Sequence, residues 1–412
     1  MVPKGWSSVQ AQDVCKSISV GVVIKPTQYY VPEGYGVKAF RSANVREGFI
    51  NDSDWVYFSH EGHAINKKSH LKTGDVLIVR TGYPGTACVV TPEFEGSNAI
   101  DIVIARPDMD KIIPEYLCAY TNSHIGKSQA LDLQGGMAQK HLNVGAYQVL
   151  KINLPPLREQ KKIAQILSTW DKAITVTEKL LVNSQQQKKA LMQQLLTGKK
   201  RLLDENGVRF SGAWKRVKLG AIADMNSGGT PKSTVEEYYG GNIPWVSISD
   251  MTSNGKWIAT TEKYLTELGL NSSSARIYPK NSVLYAMYAS IGECSIAAVN
   301  LTSSQAILGI RPKDCLNYEF LYFYLTSLKE KIKLQGQQGT QSNLNAGMVK
   351  EFELDLPSIR EQQKIAAVLS AADAEISTLE KKLACLRDEK KALMQQLLTG
   401  KRRVKVDEAV AE

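Results

Sequence analysis

Apolar side chains recur at alternating steps of four and three along two long stretches of this chain. The first stretch runs Ile163, Leu167, Trp170, Ile174, Thr177, Leu181, Ser184, Lys188, Leu191, Leu195. The second runs Ile365, Leu369, Ala372, Ile376, Leu379, Leu383, Leu386, Lys390, Leu393, Leu397. Such spacing lays one apolar stripe along a helix and repeats as a heptad seam. About 40 residues of helix would span ~60 Å at 1.5 Å per residue. The punctuation agrees at both ends. Leu154-Pro155-Pro156 and Leu356-Pro357 suit an extended lead-in and first turn. Gly198 and Gly400 are natural left-handed C-caps. The basic runs Lys199-Lys200-Arg201 and Lys401-Arg402-Arg403 then fall at the negative end of each helix dipole.

The two stretches are near copies. KKALMQQLLTGK occupies 188–199 and again 390–401, and 154–199 shares 27 of 46 residues with 356–401. A repeat of about 200 residues is too long for a solenoid unit, so each copy is a whole module, a globular part followed by a helix. Between the helices the pattern changes to short β-type runs broken by Gly, Pro, Asn and Ser. VLYAMY (283–288) and AILGI (306–310) read as strands and 316–332 as a helix. VLIVRTGYPG (76–85) and PEYLCAYTNS (114–123) echo them in the first half, and Ser19-Val20-Gly21-Val22 falls where Ser227-Gly228-Gly229-Thr230 falls. The expected organisation is a first globular domain over 1–153, a central helix over 154–201, a second globular domain over 202–355, and a C-terminal helix and tail over 356–412. The fold class is α+β, two similar globular domains each followed by a long helix.

The seams also suggest how the helices pair. A parallel, in-register pair would stack Lys188 on Lys390, and like charges in one layer are costly. Antiparallel pairing moves them apart, setting Lys390 near Trp170 and Lys188 near Ala372, where a lysine can snorkel or rest on an indole face. The expectation is an antiparallel coiled coil with a pseudo-two-fold axis relating the halves. Two separate amphipathic helices, each packed on its own domain, are the alternative. A pseudo-two-fold reader suits an elongated two-fold partner such as duplex DNA.

Composition refines this picture only in part. The net charge of +10 permits nucleic-acid binding. The excess lies mainly on 154–201, with 10 basic and 3 acidic side chains, whereas 1–153 carries 15 and 14. Six scattered cysteines without a Cys-x-x-Cys pair read as free buried thiols in a reducing compartment. With neither an apolar run near ~18 residues nor a signal-peptide pattern, a cytoplasmic protein without membrane contact is expected.

The chain offers no convincing catalytic set. There is no phosphate-binding G-x-x-x-x-G-K-[ST] loop, and Gly34-Tyr35-Gly36 lacks the third glycine of a dinucleotide fingerprint. His60-Glu61-Gly62-His63 has the wrong spacing for H-E-x-x-H zinc chemistry and reads as a polar surface loop. Asp108, Asp110 and Lys111 after Pro107 read as a turn. Leu154-Pro155-Pro156-Leu157 is not the Asn/Asp-Pro-Pro-aromatic signature of an amino-methyltransferase. The reading is a non-enzyme with no cofactor or metal of its own.

Taken together, W-x-x-V-x-L-G from Trp214, Ser227-Gly228-Gly229-Thr230-Pro231, Tyr238-Tyr239-Gly240-Gly241-Asn242-Ile243-Pro244-Trp245, the Gln-Gly run before Leu344-Asn345, and Leu154-Pro155-Pro156-Leu157-Arg158-Glu159-Gln160 resemble the specificity subunits of type I restriction-modification systems. The resemblance covers both halves, although the first departs at Val20-Gly21-Val22 and has Val37-Lys38-Ala39-Phe40 where the second has Ile-Pro-Trp. It implies two target-recognition domains that each read half of a split duplex DNA sequence, held apart by an antiparallel coiled coil. It implies two methyltransferase (modification) subunits docked on the helices and restriction endonuclease-translocase subunits in the full complex. It also implies that S-adenosylmethionine is carried by the partner methyltransferase subunit.

Base edges are read by paired donors and acceptors, and phosphates by Lys/Arg, hydroxyls and backbone N–H groups. Glycine-rich polar loops suit both. DNA-binding candidates in the first domain are Ser19, Lys25, Arg41, Ser42, Asn44, Arg80, Thr81, Tyr83, Gln134, Met137, Gln139, Lys140 and His141. In the second they are Ser227, Gly228, Gly229, Thr230, Lys232, Ser247, Tyr288, Ser290, Gln337, Gln338, Thr340, Gln341, Ser342 and Asn343. The competing class is a non-catalytic coiled-coil scaffold or RNA-binding protein that would bind through its basic first helix.

Overall fold

The computed structural model describes residues 2–133, 141–288, 290–337 and 344–406, with the backbone alone at 333–337. The chain divides into two compact units, Met1–Glu178 with Lys381–Glu412, and Lys179–Glu380. Each unit thus combines one globular part with a length of both long helices.

In the first unit, strand Ser7–Gln10 runs antiparallel to Lys151–Leu154, so the globular part begins and ends at one place. Its main sheet has the antiparallel order Cys15–Val20, Ile102–Pro107, Val76–Val79, Ala87–Val89. Val76–Val79 is buried at every position, as its unbroken apolar run requires of a strand covered on both faces. A second sheet has the order Asn98–Ala99, Gly36–Phe40, Val56–Ser59, Tyr30–Val31. Helix Pro114–Asn122 packs on the main sheet and the first turns of the central helix complete the core around Tyr116, Tyr120, Tyr147, Ile163 and Leu167.

The second unit repeats this plan. Lys215–Lys218 pairs with Glu353–Leu356. The main sheet runs Ala223–Ser227, Ile307–Pro312, Val283–Ala286, Cys294–Ala297, Trp257–Ile258, and a three-stranded sheet runs Lys263–Leu265, Tyr239–Val246, Thr302–Ser303. Helix Tyr318–Gln337 covers the core.

The long helices are Leu157–Leu195 and Ile359–Leu398. Every position of the two heptad seams is buried or half-buried. Within each unit the helix segments run antiparallel. In the first, Lys390 pairs with Asp171 while Arg387 pairs with Glu178. In the second, Lys188 pairs with Asp373 while Ser184 donates to Glu375 at 3.1 Å. The lysines therefore neither snorkel nor rest on an indole. Each reaches an aspartate one residue beyond the expected layer, because a salt bridge compensates a half-buried ammonium better than an alanine does, and the Lys188 ammonium also lies 5.8 Å from the Phe323 ring centre. Gly198 and Gly400 end the helices at φ +70° and +71°.

Three local readings change. His60–Ile65 is a helix capped by Ser59, not a polar loop. Val20, not Ser19, occupies the position of Ser227, since Val20 pairs with Val103 and Ser227 with the equivalent Leu308. The thiols of Cys88, Cys118 and Cys294 are buried, but Cys315 and Cys385 are exposed. Burial first, then the charge of Asp108, pushes Cys15 up to about 12, so it stays protonated at neutral pH. Among the described residues no helix is long and apolar enough to cross a membrane.

Candidate nucleic-acid interface

The two globular parts share one frame, bond for bond. Gly21 N donates to Ile102 O at 2.9 Å and Gly228 N to Ile307 O at 3.1 Å. Ile100 N reaches Phe40 O at 2.8 Å and Ser304 N reaches Val246 O at 2.9 Å. Gly85 N donates to Val79 O at 3.0 Å and Gly292 N to Ala286 O at 3.1 Å, each glycine closing a tight turn at positive φ. The ends of the polar loops are pinned alike, Leu142 N to Arg80 O at 3.0 Å and Leu344 N to Met287 O at 3.1 Å. What differs is the side chain mounted on each position. Thr81 and Tyr83 in one turn stand where Tyr288 and Ser290 stand in the other.

Several candidates turn out to hold this frame together. The Gly228 and Gly229 amides are committed to Ile307 O and Ser303 O. A Cβ on Gly228 would lie 2.2 Å from Ser303 O and one on Gly229 2.2 Å from Ala275 N. These glycines permit close approach of the protein's own backbone, so their N–H groups are not offered to a phosphate. Asn44 is buried, accepting from Arg41 N at 2.9 Å and donating to Ser53 O at 2.9 Å. Its counterpart Asp250 accepts from Ser247 N at 2.8 Å, and Ser247 caps helix Ile248–Asn254. Arg80 is tied to Asp101 and to Leu142 O, and Arg41 to Asp54. A loop needs such internal bonds to hold one conformation, since its backbone has no ladder.

Other candidates face solvent. Lys25, Thr81, Thr230 and Lys232 are exposed, as is Tyr83 at 82%. Ser19, Ser42, His141 and Ser290 are half-buried. In the second domain Ser227, Gly228 and Tyr288 line one shallow depression with Gln305 and Asn345. Arg276 lies beside it, donating to Asn226 Oδ1 at 3.4 Å. Asn226, Arg276 and Gln305 were not singled out by the sequence. Asn226, flanking the Ser-Gly-Gly run, carried a signal that spacing could have caught, whereas Gln305 and Arg276 lie in loops that only the tertiary fold brings to the site. Gln134, Met137, Gln139 and Lys140, and Gln338, Thr340, Gln341, Ser342 and Asn343, lie outside the described residues, as does the side chain of Gln337.

The last arginine of each basic helix end is structural. Arg201 grips Glu361 with two bonds of 2.6 and 2.8 Å, and Trp214 Nε1 donates to the same carboxylate at 3.2 Å. Arg403 grips Glu159, which also accepts from Trp6 Nε1 at 3.2 Å. The guanidinium lies over the indole in both, 5.6 Å from Trp214 and 5.7 Å from Trp6. Each clamp ties the tail of one long helix to the first turn of the other. No group of three or more His, Cys, Asp or Glu placed to hold a metal ion occurs among the described residues.

Two domains with one hydrogen-bonded frame and different exposed polar side chains, joined by long paired helices, define a class of two-headed recognition protein. Residues 3–183 and 212–386 match the family described as the type I restriction modification DNA specificity domain, and the chain belongs to that family of DNA sequence-recognition subunits. It is 25% identical to the putative type I restriction enzyme MjaX specificity subunit of Methanocaldococcus jannaschii, over 98% of this chain and 95% of that one. It is 36% identical to the type I restriction enzyme MjaIX specificity subunit of the same organism over 41% of this chain and 40% of that one. Its fold resembles the crystal structure of the type I restriction-modification system S subunit from M. genitalium, with a TM-score of 0.59, 15% identity and 96% of each chain covered.

Proposed function

We propose that each globular part reads one half of a split duplex DNA target, and that the paired helices set the distance between the halves. The observation that supports this most directly is the common frame carrying different exposed side chains in its two copies. Tyr83, Thr81 and Ser19 in the first domain, and Tyr288, Ser290, Gln305 and Asn226 in the second, are the candidates for base edges. Lys25, Thr230, Lys232 and Arg276 are the candidates for phosphates, which carry affinity but no sequence information. Two methyltransferase subunits dock on the helical regions and carry S-adenosylmethionine and the methyl transfer, and restriction endonuclease-translocase subunits supply cleavage. This chain supplies recognition and works in the cytoplasm, where its DNA is.

Domain exchange tests the reading. Residues 1–153 are replaced by the equivalent domain of a relative, keeping Glu159 and Gln160, which hold Trp6 Nε1 and Ile113 N of the first domain, and methylated bases are mapped in the host. One half of the methylated sequence should change while the other stays. A change in both halves together would sink the two-reader model.

A further inference from the structure

One corner of the common frame is filled in the second unit and open in the first. In the second, Lys256 enters beside the edge strand Trp257–Ile258. Its ammonium lies 2.8 Å from Glu319 Oε2 and 2.8 Å from Ser370 Oγ. It also sits over the rings of Phe323 at 4.6 Å and Tyr322 at 5.3 Å. A lysine of the chain itself thus closes the space between the sheet and the long helix.

Shared hydrogen bonds identify the counterparts in the first unit. Ile113 N is held by Gln160 Oε1 at 3.0 Å as Asn317 N is held by Gln362 Oε1 at 2.8 Å. Glu115 therefore stands where Glu319 stands, and Cys118 and Ala119 where Tyr322 and Phe323 stand. The helix repeat puts Ser168 in the place of Ser370. The neighbouring edge is taken by the hairpin of Val45–Arg46 and Phe49–Ile50, which brings Gly48 and Phe49 but no lysine. With two aromatic rings reduced to Cys118 and Ala119, a groove of about 530 Å³ remains. Ala119, Leu167, Phe94 and Met394 line it, and Phe49 stands 60% exposed at its edge. Glu115 and Ser168 are exposed there. Of the other carboxylates lining the groove, Glu47, Asp52 and Asp171 are paired with Lys127, Lys38 and Lys390, while Glu93 adds a second without such a partner among the described residues. Lys390 also borders the groove, but its ammonium is engaged by Asp171. Neither Glu93 nor Glu115 has an ion-pair partner among the described residues.

We propose that this groove docks another protein through a lysine with an apolar neighbour, the ammonium lodging between Glu115 and Ser168 as Lys256 lodges between Glu319 and Ser370. The charge decides the class of occupant. Carboxylates repel a phosphate backbone, so the groove is no extension of the DNA surface, while on a chain of net charge +10 an acidic apolar recess selects for a cation. The apolar neighbour is needed to fill the volume that Tyr322 and Phe323 fill in the other unit. This docking is independent of DNA reading.

The second unit supplies the probe. A fluorescent peptide with the sequence of residues 253–259, Ser-Asn-Gly-Lys-Trp-Ile-Ala, is titrated into the full chain and followed by anisotropy. Saturable binding is expected, at least about tenfold weaker when the peptide's lysine is alanine or the protein carries Glu115→Lys. Glu115→Gln with Ser168→Ala should weaken it several-fold and carries the test if Glu115→Lys does not fold, as judged by its thermal melt. DNA binding should be unchanged in all variants, which separates failure here from failure of the two-reader model. Absence of saturable binding, equal binding of the alanine peptide, or undiminished binding to Glu115→Lys overturns the proposal. Self-association in sedimentation that Glu115→Lys abolishes also overturns it, since the occupant is then a second copy.

Discussion

Glu361 is 2% exposed and would be costly to bury alone, yet Arg201 and Trp214 satisfy it with three donors. Removing one partner of a buried pair leaves an uncompensated charge, at a cost of about 3–5 kcal/mol. Arg201→Ala should therefore lower the stability of the second unit by that order in urea unfolding, and adding Glu361→Gln should recover part of it. A single-variant loss below about 1 kcal/mol would show the clamp to be peripheral. His63 makes a second residue-scale test. Its ring stacks on His70 at 3.8 Å and is held by Asn98. Burial, then the charges of His70 and His60, hold its pKa below the ordinary 6.5, although the Asn98 bond opposes them. The folded value lies below the unfolded one, so the unfolded chain takes up the proton first as pH falls. The stability contributed is present above about 6.5 and is lost on acidification below it. Thermal midpoints at pH 7.5 and 5.5 should differ more in the parent than in His63→Gln. Equal differences would remove His63 as a contributor.

At the scale of elements, the long helices end by the same device twice. Lys200 N reaches back to Gln194 O at 3.1 Å and Arg402 N to Gln396 O at 3.1 Å, past the left-handed glycines Gly198 and Gly400. This return aims Arg201 and Arg403 at their carboxylates, so the cap and the clamp form one structure. Helix pairing rests on apolar seams interrupted by Lys188–Asp373 and Lys390–Asp171. These pairs are half-buried, between the surface and interior limits, and each single charge removal should cost about 1–2 kcal/mol. Exchanging the charges, Lys390→Asp with Asp171→Lys, should restore most of what Lys390→Asp alone loses, because the partners face each other in antiparallel packing. No recovery in a double-mutant cycle would mean that they do not interact.

At the scale of the whole molecule, each long helix passes from one compact unit into the other, the central helix after Glu178 and the C-terminal helix after Glu380. If the helices are the ruler of the proposed function, lengthening both at those points must change the spacing read. Four residues added to each would extend a helix by ~6 Å and turn it by roughly 400°, so the unit beyond the insertion nearly keeps its facing. At about 3.4 Å per base pair the gap between half-sites should grow by about two base pairs, with both half-sites unchanged. Two added residues turn a helix by about 200° and should abolish joint recognition. Methylation mapping reads both outcomes. An unchanged gap in both insertions would assign the spacing to something other than the helices.

Periodicity and punctuation determined the long helices and their caps, because these depend on neighbours three, four or seven residues apart; the repeat was legible by matching the chain against itself, and the antiparallel sense by asking which pairing keeps Lys188 away from Lys390. Strand runs such as 76–79 and 283–286 were legible for the same local reason. Tertiary structure alone decided which polar residues belong to the interior. Arg80 and Asn44 look like surface readers in a polar loop, but Asp101, Leu142 O and Ser53 O are brought to them by folding, whereas the Ser247 cap, made with Asp250 three positions on, is a local feature. The Ser-Gly-Gly loop showed that its glycines permit close approach, while only the fold showed that Ser303 and Ala275, rather than a ligand, come close. The arginines after each helix could be placed at a dipole's end from sequence, but their carboxylates lie 160 positions away for Arg201 and 244 for Arg403. A contact of that separation leaves no period in the sequence, because it depends on the whole chain between having already folded.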